Sequence, residues 1–251
     1  MAKRMPEYNI PKDFLNNKQQ TLRQIDRSKK GSIDIPILSL IDVINTSLFF
    51  YTTSSCSGRI ILYSEKSAGI KHNCKWIYTS HKECNIDDVI VALKREVTIV
   101  CNVITLKFEP LILHVCCANI ECSKALMKVA VGCGYRNSGL SIGKKIMLAV
   151  RSTQGLEVPI GRDGSILVEE KYLKFLVEEA NIKMNLNCER IKVLELAITN
   201  EIRLLEMGVC QQENKHQERT LIHKENGMEI KKLEFDTEFK DEDNILENIF
   251  T

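Results

Sequence analysis

The 251-residue sequence lacks any apolar stretch long enough to cross a bilayer, since a membrane helix needs about 20 mostly apolar residues in a row. Its first residues, 1–7, also lack the apolar stretch of a secretory signal peptide. The ten cysteines are scattered, and no two of them form a Cys-x-x-Cys pair. Free thiols in an intracellular, cytoplasmic protein are therefore the prediction.

Zinc is the alternative use for some of these cysteines. The best set is Cys74, His81 and Cys84, but its spacing fits no familiar finger and no fourth ligand stands nearby. We therefore expect neither a bound metal nor a membrane segment.

The sequence also lacks the Gly-x-Gly-x-x-Gly turn between strand and helix that marks dinucleotide-binding folds. Gly132 and Gly134 come closest, but they end a predicted helix, and Asn137 stands where the third glycine would be. Predicted strands and helices intermix without regular βαβ repetition. We therefore predict an α+β fold, a mixed sheet with packed helices rather than a Rossmann fold.

Hydrophobic spacing and turn residues predict the individual elements. A first helix over 11–26 has Phe14, Leu15, Leu22 and Ile25 on its apolar side, and Ser32 is the predicted N-cap of a second. Further helices are predicted over 87–95 and 118–131. Strands are predicted over 48–54, 60–63, 76–78, 106–115, 146–150, 156–160 and 166–168.

A long helix is predicted from Glu169 to about Met207, because apolar residues recur there every three or four positions. These residues are Leu173, Leu176, Ala180, Met184, Ile191, Leu194, Ile198, Ile202 and Leu205. One domain over 1–208 and a disordered tail over 209–251 are expected, because the tail is polar and charged. The tail holds six basic and eleven acidic residues, which leaves a net charge of +7 on the rest. A domain with this positive net charge favours a polyanionic partner.

Three loops combine arginine with glycine or serine. In SSCSGR at 54–59, small residues allow backbone N–H groups to converge beside an arginine, which suits a phosphate or carboxylate. A plain hairpin turn is the alternative. GYRNSG at 134–139 again combines glycines, an arginine and short polar residues, directly after a predicted helix. The alternative, a helix C-cap followed by a turn, explains Gly134 but not Arg136 and Asn137. In RSTQGLEVP at 151–159, the alternative is a surface ion pair across a hairpin.

Two polar residues interrupt an otherwise apolar strand. Glu109 would be costly to bury unpaired, so we expect it to meet an arginine, with Arg59, Arg136 and Arg151 as the candidates. His114 alone is more typical of a satisfied core histidine than of a catalyst.

Six segments in order resemble the wybutosine-synthesizing tRNA methyltransferases, the tRNA wybutosine-synthesizing protein 3 family, over roughly residues 10–205. They are DRSKKGSID at 26–34, FYTTSSCSGRI at 50–60, WIYTSH at 76–81, LKFEPLILHV at 106–115, GYRNSG at 134–139 and RSTQGLEVP at 151–159.

The resemblance implies transfer of a methyl group from S-adenosylmethionine to N(4) of the tricyclic guanosine derivative beside the anticodon of phenylalanine tRNA. It also implies an α+β fold and not a Rossmann-type methyltransferase. Anticodon loops present unstacked bases, which suits loops that hold phosphates and bases.

The resemblance and the loop chemistry together give candidate roles. For the methyl donor the candidates are Ser54, Ser55, Cys56, Gly58, Arg59, Arg136, Asn137, Ser138 and Gly139. For the tRNA they are Lys30, Ser32, Arg151, Thr153 and Glu157. A base that takes a proton from the nitrogen would be Asp34, His81 or Glu109.

The sequence departs from the family pattern at several positions. Gln154 stands where histidine is frequent, Cys116 and Ala118 replace an expected glutamine and arginine, and 97–104 is longer and more apolar than expected. The alternatives are a catalytically silent tRNA-binding or scaffold protein on the same fold, and an RNA-binding module that acts on another tRNA or base.

Overall fold

The computed structural model describes residues 10–23, 31–65, 74–96 and 103–208, and beyond them only the backbone of a helix. The chain divides into two compact units, Pro6–Arg203 and a second that combines Met1–Met5 with Leu204–Thr251. All strands and all but the last part of the final helix belong to the first unit.

Five α-helices and nine strands make up the described fold. The helices are α1 Lys12–Leu22, α2 Leu38–Thr46, α3 Ile86–Glu96, α4 Ile120–Gly132 and α5 Glu170–Leu246, and a 3-10 turn at Ile35–Ile37 leads into α2. The strands are β1 Phe50–Cys56, β2 Arg59–Glu65, β3 Cys74–Ser80, β4 Val103–Glu109, β5 Ile112–Cys117, β6 Gly139–Ile142, β7 Ile146–Arg151, β8 Leu156–Arg162 and β9 Ser165–Ile166.

The strands form two antiparallel sheets, which confirms the predicted α+β class. Sheet A has the order β1-β5-β7-β6, and sheet B has the order β3-β2-β4-β8-β9. The chain passes from one sheet to the other between β1 and β2, between β4 and β5, and between β7 and β8. The segment 54–59 is therefore not the hairpin turn considered as an alternative, because β1 and β2 do not pair.

Sheet B has one apolar face, which packs against α3 and α5. Successive residues of a strand point to opposite faces, so Ile60, Leu62, Leu106 and Phe108 share one side. They form a buried cluster with Val89 and Leu93 of α3 and with Leu173, Leu176, Val177, Ala180 and Met184 of α5. The opposite face of β2 and β4 carries mostly polar side chains, with Ile61 buried among them.

Sheet A packs against the helices α1, α2 and α4. Phe14 of α1 lies against Tyr51 with ring centroids 5.3 Å apart, in a cluster with Cys116 and Ala118. Leu126 of α4 is fully buried.

Several predicted elements need correction. Leu15 and Leu22 are exposed, so Phe14 is the one buried residue among those described in α1, and Ile25 lies outside the described residues. Ser32 is exposed and does not cap a helix, because the 3-10 turn begins after Asp34.

The predicted strand over 106–115 is two strands in different sheets, separated at 110–111, and β6 was not predicted. The nine predicted apolar positions of the long helix are all buried, which confirms its register. The helix backbone continues to Leu246, but the side chains of 209–251 are outside the described residues. The disordered tail therefore stays a prediction. Of the insertion at 97–104, residues 97–102 lie outside the described residues, and 103–104 belong to β4.

The start of α4 gives a first prediction. Asn119 is its N-cap, and its side-chain oxygen accepts a hydrogen bond of 2.8 Å from the N–H of Cys122. Asn119→Ala should lower the free energy of unfolding by about 1 kcal/mol, because the cap partner is lost. Asn119→Asp keeps the acceptor and should stay close to wild type. Chemical denaturation of both variants checks this, and equal losses would show that the cap contributes nothing.

Candidate functional site where the sheets exchange strands

The candidate residues gather where the chain passes between the sheets. Ser57 and Gly58 form one crossing, 110–111 form the second, and 152–155 form the third. Asn187 of α5 joins the first two crossings. Its Nδ2 donates to the carbonyl of Ser57 at 2.7 Å, and its Oδ1 accepts from the N–H of Leu111 at 2.9 Å. A single buried amide therefore holds both crossings in place.

Gly58 is required at the first crossing. Its φ is +116°, in the region that favours glycine, and a Cβ there would lie 2.8 Å from Nδ2 of Asn187 and 3.1 Å from the carbonyl oxygen of Glu109. The predicted role of Gly58 in donor binding is untested; the structure shows its role in letting the two crossings approach.

A row of alternating charges lies on the polar face of sheet B. Arg59 donates from Nε and Nη2 to Oε2 of Glu109, each at 2.7 Å. Lys107 lies 3.4 Å from Oε1 of Glu109 and 3.0 Å from Oε2 of Glu157. The hydroxyl of Tyr63 donates to Oε1 of Glu157 at 2.9 Å. The expectation that Glu109 meets an arginine is confirmed, with Arg59 as the partner.

The contacts within this row shift the pKa values of Glu157, Tyr63 and Lys107. The hydrogen bond from Lys107 lowers the pKa of Glu157, whereas burial and the bond to Glu157 raise the pKa of Tyr63 to about 12. Burial alone would lower the pKa of Lys107, but the bond to Glu157 raises it. Glu157 and Lys107 therefore stay charged near neutral pH, and the hydroxyl of Tyr63 stays protonated.

Arg59 also contacts an aromatic ring. Its Cζ lies 4.4 Å from the ring centroid of Trp76, which is 42% exposed. A guanidinium over an indole is favourable through the charge of the ring face. The arrangement puts an exposed flat ring, a cation and a carboxylate side by side.

A second group lies around Asp34, which is 6% exposed. Its Oδ2 accepts from the N–H of Ser57 at 2.9 Å and from the hydroxyl of Ser57 at 3.1 Å. Nδ1 of His81 is 3.3 Å from the same oxygen and 3.9 Å from Sγ of Cys56. The charges of Arg59 and Glu109 act on the thiol of Cys56, so the two groups are neighbours.

The ligand atoms of Asp34, Cys56 and His81 lie within 4.8 Å of one another, close enough for one cation to reach all three. Cys74 and Cys84, from the zinc alternative, are not in this group. Oδ2 of Asp34 already accepts two hydrogen bonds from Ser57, which favours a hydrogen-bonding role for this carboxylate. Burial raises the pKa of the Cys56 thiol.

The third group lies on sheet A. Nδ1 of His114 is 2.8 Å from Oγ of Ser54, and Nε2 is 3.4 Å from Nη2 of Arg151. Arginine can only donate, so Nε2 accepts and Nδ1 carries the hydrogen. Burial and the charge of Arg151 lower the pKa of His114, which keeps this ring neutral. Arg151 and Glu157 do not form the ion pair considered as an alternative, because Glu157 pairs with Lys107.

Other predicted site residues lie apart from these groups. Arg136, Asn137 and Thr153 are exposed on loops, and Ser55 lies on β1 opposite Leu113. Ser138 accepts the N–H of Arg151 at 3.2 Å, and Gly139 begins β6. Lys30 lies outside the described residues.

Sequence reasoning missed four contributors. Tyr63, Lys107 and Trp76 share the polar face of sheet B with Arg59, and alternation along β2 and β4 is the signal that could have found the first two. Asn187 stands midway between Met184 and Ile191, where the apolar spacing of α5 calls for a buried residue.

The fold and the site together define a class: a small α+β protein of two antiparallel sheets, with its polar groups at the sheet crossings and without a Rossmann domain. None of the helices in the described part of the chain has the length and apolarity needed to span a membrane. The described cysteines are free thiols, as predicted.

The model of the family Methyltransferase TYW3 matches residues 16–200, and the chain belongs to this family. The tRNA wybutosine-synthesizing protein 3 homolog of Xenopus laevis is 46% identical over 183 residues, which are 71% of each chain. A Pyrococcus abyssi protein, tRNA(Phe) 7-((3-amino-3-carboxypropyl)-4-demethylwyosine(37)-N(4))-methyltransferase 2, is 38% identical over 154 residues, 61% of this chain and 73% of the relative. The solved structure of the PH1069 protein from Pyrococcus horikoshii superposes with a TM-score of 0.68 at 34% identity and covers 74% of this chain and 95% of that one.

Proposed function

We propose that this chain is a cytoplasmic tRNA methyltransferase of the wybutosine pathway. It transfers a methyl group from S-adenosylmethionine to N(4) of the 7-aminocarboxypropyl-demethylwyosine base beside the anticodon of phenylalanine tRNA. Family membership and the relative from Pyrococcus abyssi support this reaction. The observation that carries it at the site is the pair Arg59–Glu109 beside the exposed ring of Trp76.

The chemistry of these residues fits the methyl donor. The amino-acid end of S-adenosylmethionine has a carboxylate and an ammonium group, which need a cation and an anion side by side, and Arg59 and Glu109 supply both. Trp76 offers a ring face for a purine, and Ser54 of β1 offers a hydroxyl, which lies 2.8 Å from Nδ1 of His114. The donor supplies an electrophilic methyl group on a positively charged sulfur. The chain supplies position, which contributes most to a displacement of this kind.

The tRNA would be held by the basic residues around the crossings. Arg151 is exposed at the end of β7, and Thr153 is exposed in the crossing that follows. The net charge of +7 on residues 1–208 favours a polyanion without selecting its sequence. Ser32, two residues before Asp34, is exposed and would extend the proposed contact, as would Glu157 after the third crossing. Lys30 stays a candidate from the sequence, outside the described residues.

A labelling experiment tests the proposed function. The purified chain is incubated with methyl-labelled S-adenosylmethionine and phenylalanine tRNA from cells that lack this step. We expect label in the anticodon fragment, at the modified base, and none in tRNA that already carries the methyl group. Donor binding without any label would instead support the silent tRNA-binding protein, and label on another tRNA would support a different substrate.

A further inference from the structure

The side of α5 that faces away from sheet B carries a second row of apolar residues, and this row stays exposed. Six large side chains, each 45% to 69% exposed, form this outer stripe: Tyr172, Phe175, Ile182, Leu186, Val193 and Leu196. We propose that two copies of the chain associate through the outer stripe, with their α5 helices antiparallel. The inference is independent of the proposed function.

The helix α5 is apolar on two opposite sides. One side, which includes Leu176, Ala180 and Met184, is buried in the cluster under sheet B. At 3.6 residues per turn, Ile182 and Leu186 each lie about 200° around the helix from Met184. A surface helix has one apolar stripe, whereas a helix that is apolar all round is normally buried. The second stripe therefore indicates a partner that covers it.

The spacing of the outer stripe is that of a seam between helices. Glu179 and Glu189 stand at the two positions that complete an alternation of three and four residues from Tyr172 to Leu196. This alternation is the repeat of the core positions in a two-stranded coiled coil. The stripe runs along about 36 Å of helix. A second helix with the same repeat can pack along it, and another copy of the chain provides one.

The sizes of the side chains favour the antiparallel orientation. A twofold axis at the level of residue 184 makes three kinds of pair between the copies: Tyr172 with Leu196, Phe175 with Val193, and Ile182 with Leu186. Each aromatic ring then meets a smaller aliphatic side chain, which fills the seam evenly. A parallel pair would put every residue against its own copy, with four rings crowded at one end and two valines at the other.

The two aromatic side chains of the stripe are already packed on each other. The rings of Tyr172 and Phe175 are stacked, with centroids 6.2 Å apart and planes 29° apart. Each ring therefore restricts the other before association. Less side-chain freedom is lost when a second copy covers them, which lowers the cost of binding.

The charges beside the stripe agree with the antiparallel orientation. Glu178 and Lys192 are both exposed, and they lie on one flank of α5 because they are two heptads apart. In the antiparallel pair, Glu178 of one copy lies beside Lys192 of the other, and the twofold axis repeats the contact. In a parallel pair, Glu178 would lie near Lys183 instead. Exposed ion pairs add little affinity, but they select an orientation.

The size of the stripe suits a reversible dimer. Its six side chains expose roughly 600 Å², so covering them in both copies removes about 1,200 Å², the lower end for a specific interface. Glu179 of one copy also faces Glu189 of the other, which weakens the seam. Each glutamate has a lysine one turn further along its own helix, Lys183 or Lys192, which offsets part of the repulsion. We therefore expect a dissociation constant in the micromolar range.

Association through the stripe leaves the candidate site open. Asn187 contacts two sheet crossings from the buried side of α5, and the outer stripe lies on the opposite side of this helix. Dimer formation should therefore leave methyl transfer unchanged, and it can be measured without donor or tRNA.

Sedimentation equilibrium of the full chain tests the association. Between about 1 and 200 µM, the mean mass should rise from that of one copy toward that of two. Val193→Glu should raise the dissociation constant at least about tenfold, because it places two further carboxylates in the seam. Val91→Glu is the matched control, since Val91 is a similarly exposed valine on α3, and this variant should associate like wild type. Urea unfolding of dilute samples checks that both variants fold.

Charge reversal tests the orientation. Glu178→Lys should weaken association about three- to tenfold, because it puts two lysines side by side at each end of the seam. Adding Lys192→Glu to this variant should restore the wild-type dissociation constant, since both contacts are then re-formed with reversed signs. A double variant that stays as weak as Glu178→Lys would overturn the antiparallel arrangement.

Two results would overturn the association itself. One is a chain that remains a monomer at about 200 µM, far above the expected dissociation constant. The other is a dimer that Val193→Glu and Val91→Glu leave equally stable or weaken equally, because the outer stripe would then not be the contact. Neither result bears on the proposed function, which the labelling experiment tests separately.

Discussion

Replacing Asn187 with alanine should lower the free energy of unfolding by about 3 kcal/mol. The change leaves two buried backbone groups without partners, the carbonyl of Ser57 and the N–H of Leu111. Each unsatisfied buried group costs about 1–3 kcal/mol, and alanine returns only about 0.5 kcal/mol through its higher helix propensity. The loss should appear as a lower midpoint in urea, with an unchanged slope.

Asn185 on the same helix provides the matched control. Asn185→Ala makes the same chemical change two residues away, on the exposed side, where only the bond to Glu83 is lost. The helix propensity gain is equal in both variants, so the difference between them isolates the two buried hydrogen bonds. If both variants unfold at the same urea concentration, Asn187 does not hold the two crossings in place. The explanation that Gly58 is needed so that these crossings can approach then fails as well.

The position of Asn187 shows how far sequence reasoning reaches. The spacing of apolar residues in α5 is confirmed at all nine predicted positions, because burying one face of a long helix requires that period. The same spacing calls for a buried residue between Met184 and Ile191, and Asn187 fills it. A polar residue at such a position indicates a buried hydrogen-bonding role, but its partners come from residues 76 and 130 positions away.

The division into two sheets could not be predicted from local pattern. Residues 106–115 are mostly apolar, with single polar residues between them, and such a run is typical of one strand. Pro110 cannot donate to a strand ladder, and there the chain leaves β4 and enters β5 in the other sheet. The sheet order depends on pairings between distant segments, such as β2 with β4, that no single stretch of sequence encodes.

The candidate site could be predicted only in part, because it also depends on pairings between distant strands. The pairing of Glu109 with an arginine follows from the cost of burying a carboxylate, but only the register of Arg59 opposite Glu109 selects among three arginines. Lys107 joins this row because it faces Glu157 across β4 and β8. Asp34 and His81, by contrast, were predicted as catalytic candidates, and their side chains lie 3.3 Å apart.

Arg59→Ala should weaken binding of S-adenosylmethionine about 10- to 150-fold, the equivalent of about 1.5–3 kcal/mol for a hydrogen bond to a charged group. The guanidinium is held in one place, because Glu109 accepts from Nε and Nη2 and Cζ lies 4.4 Å from the ring centroid of Trp76. A carboxylate of the donor would bind this fixed group without the entropy cost of ordering a free side chain. Calorimetric titration of the donor measures the effect directly.

Two further variants separate charge from geometry. Arg59→Lys keeps the positive charge but loses the planar fork and the broad contact with Trp76, so its donor affinity should fall between wild type and Arg59→Ala. Arg162→Ala removes an exposed arginine at the other end of β8 and should bind the donor like wild type. Thermal unfolding of each variant checks that the fold persists, since Arg59→Ala leaves Glu109 with Lys107 alone among its described partners. Equal donor affinities for Arg59→Ala and Arg162→Ala would show that the donor carboxylate binds elsewhere, and the loop around Arg136 would then be the remaining candidate.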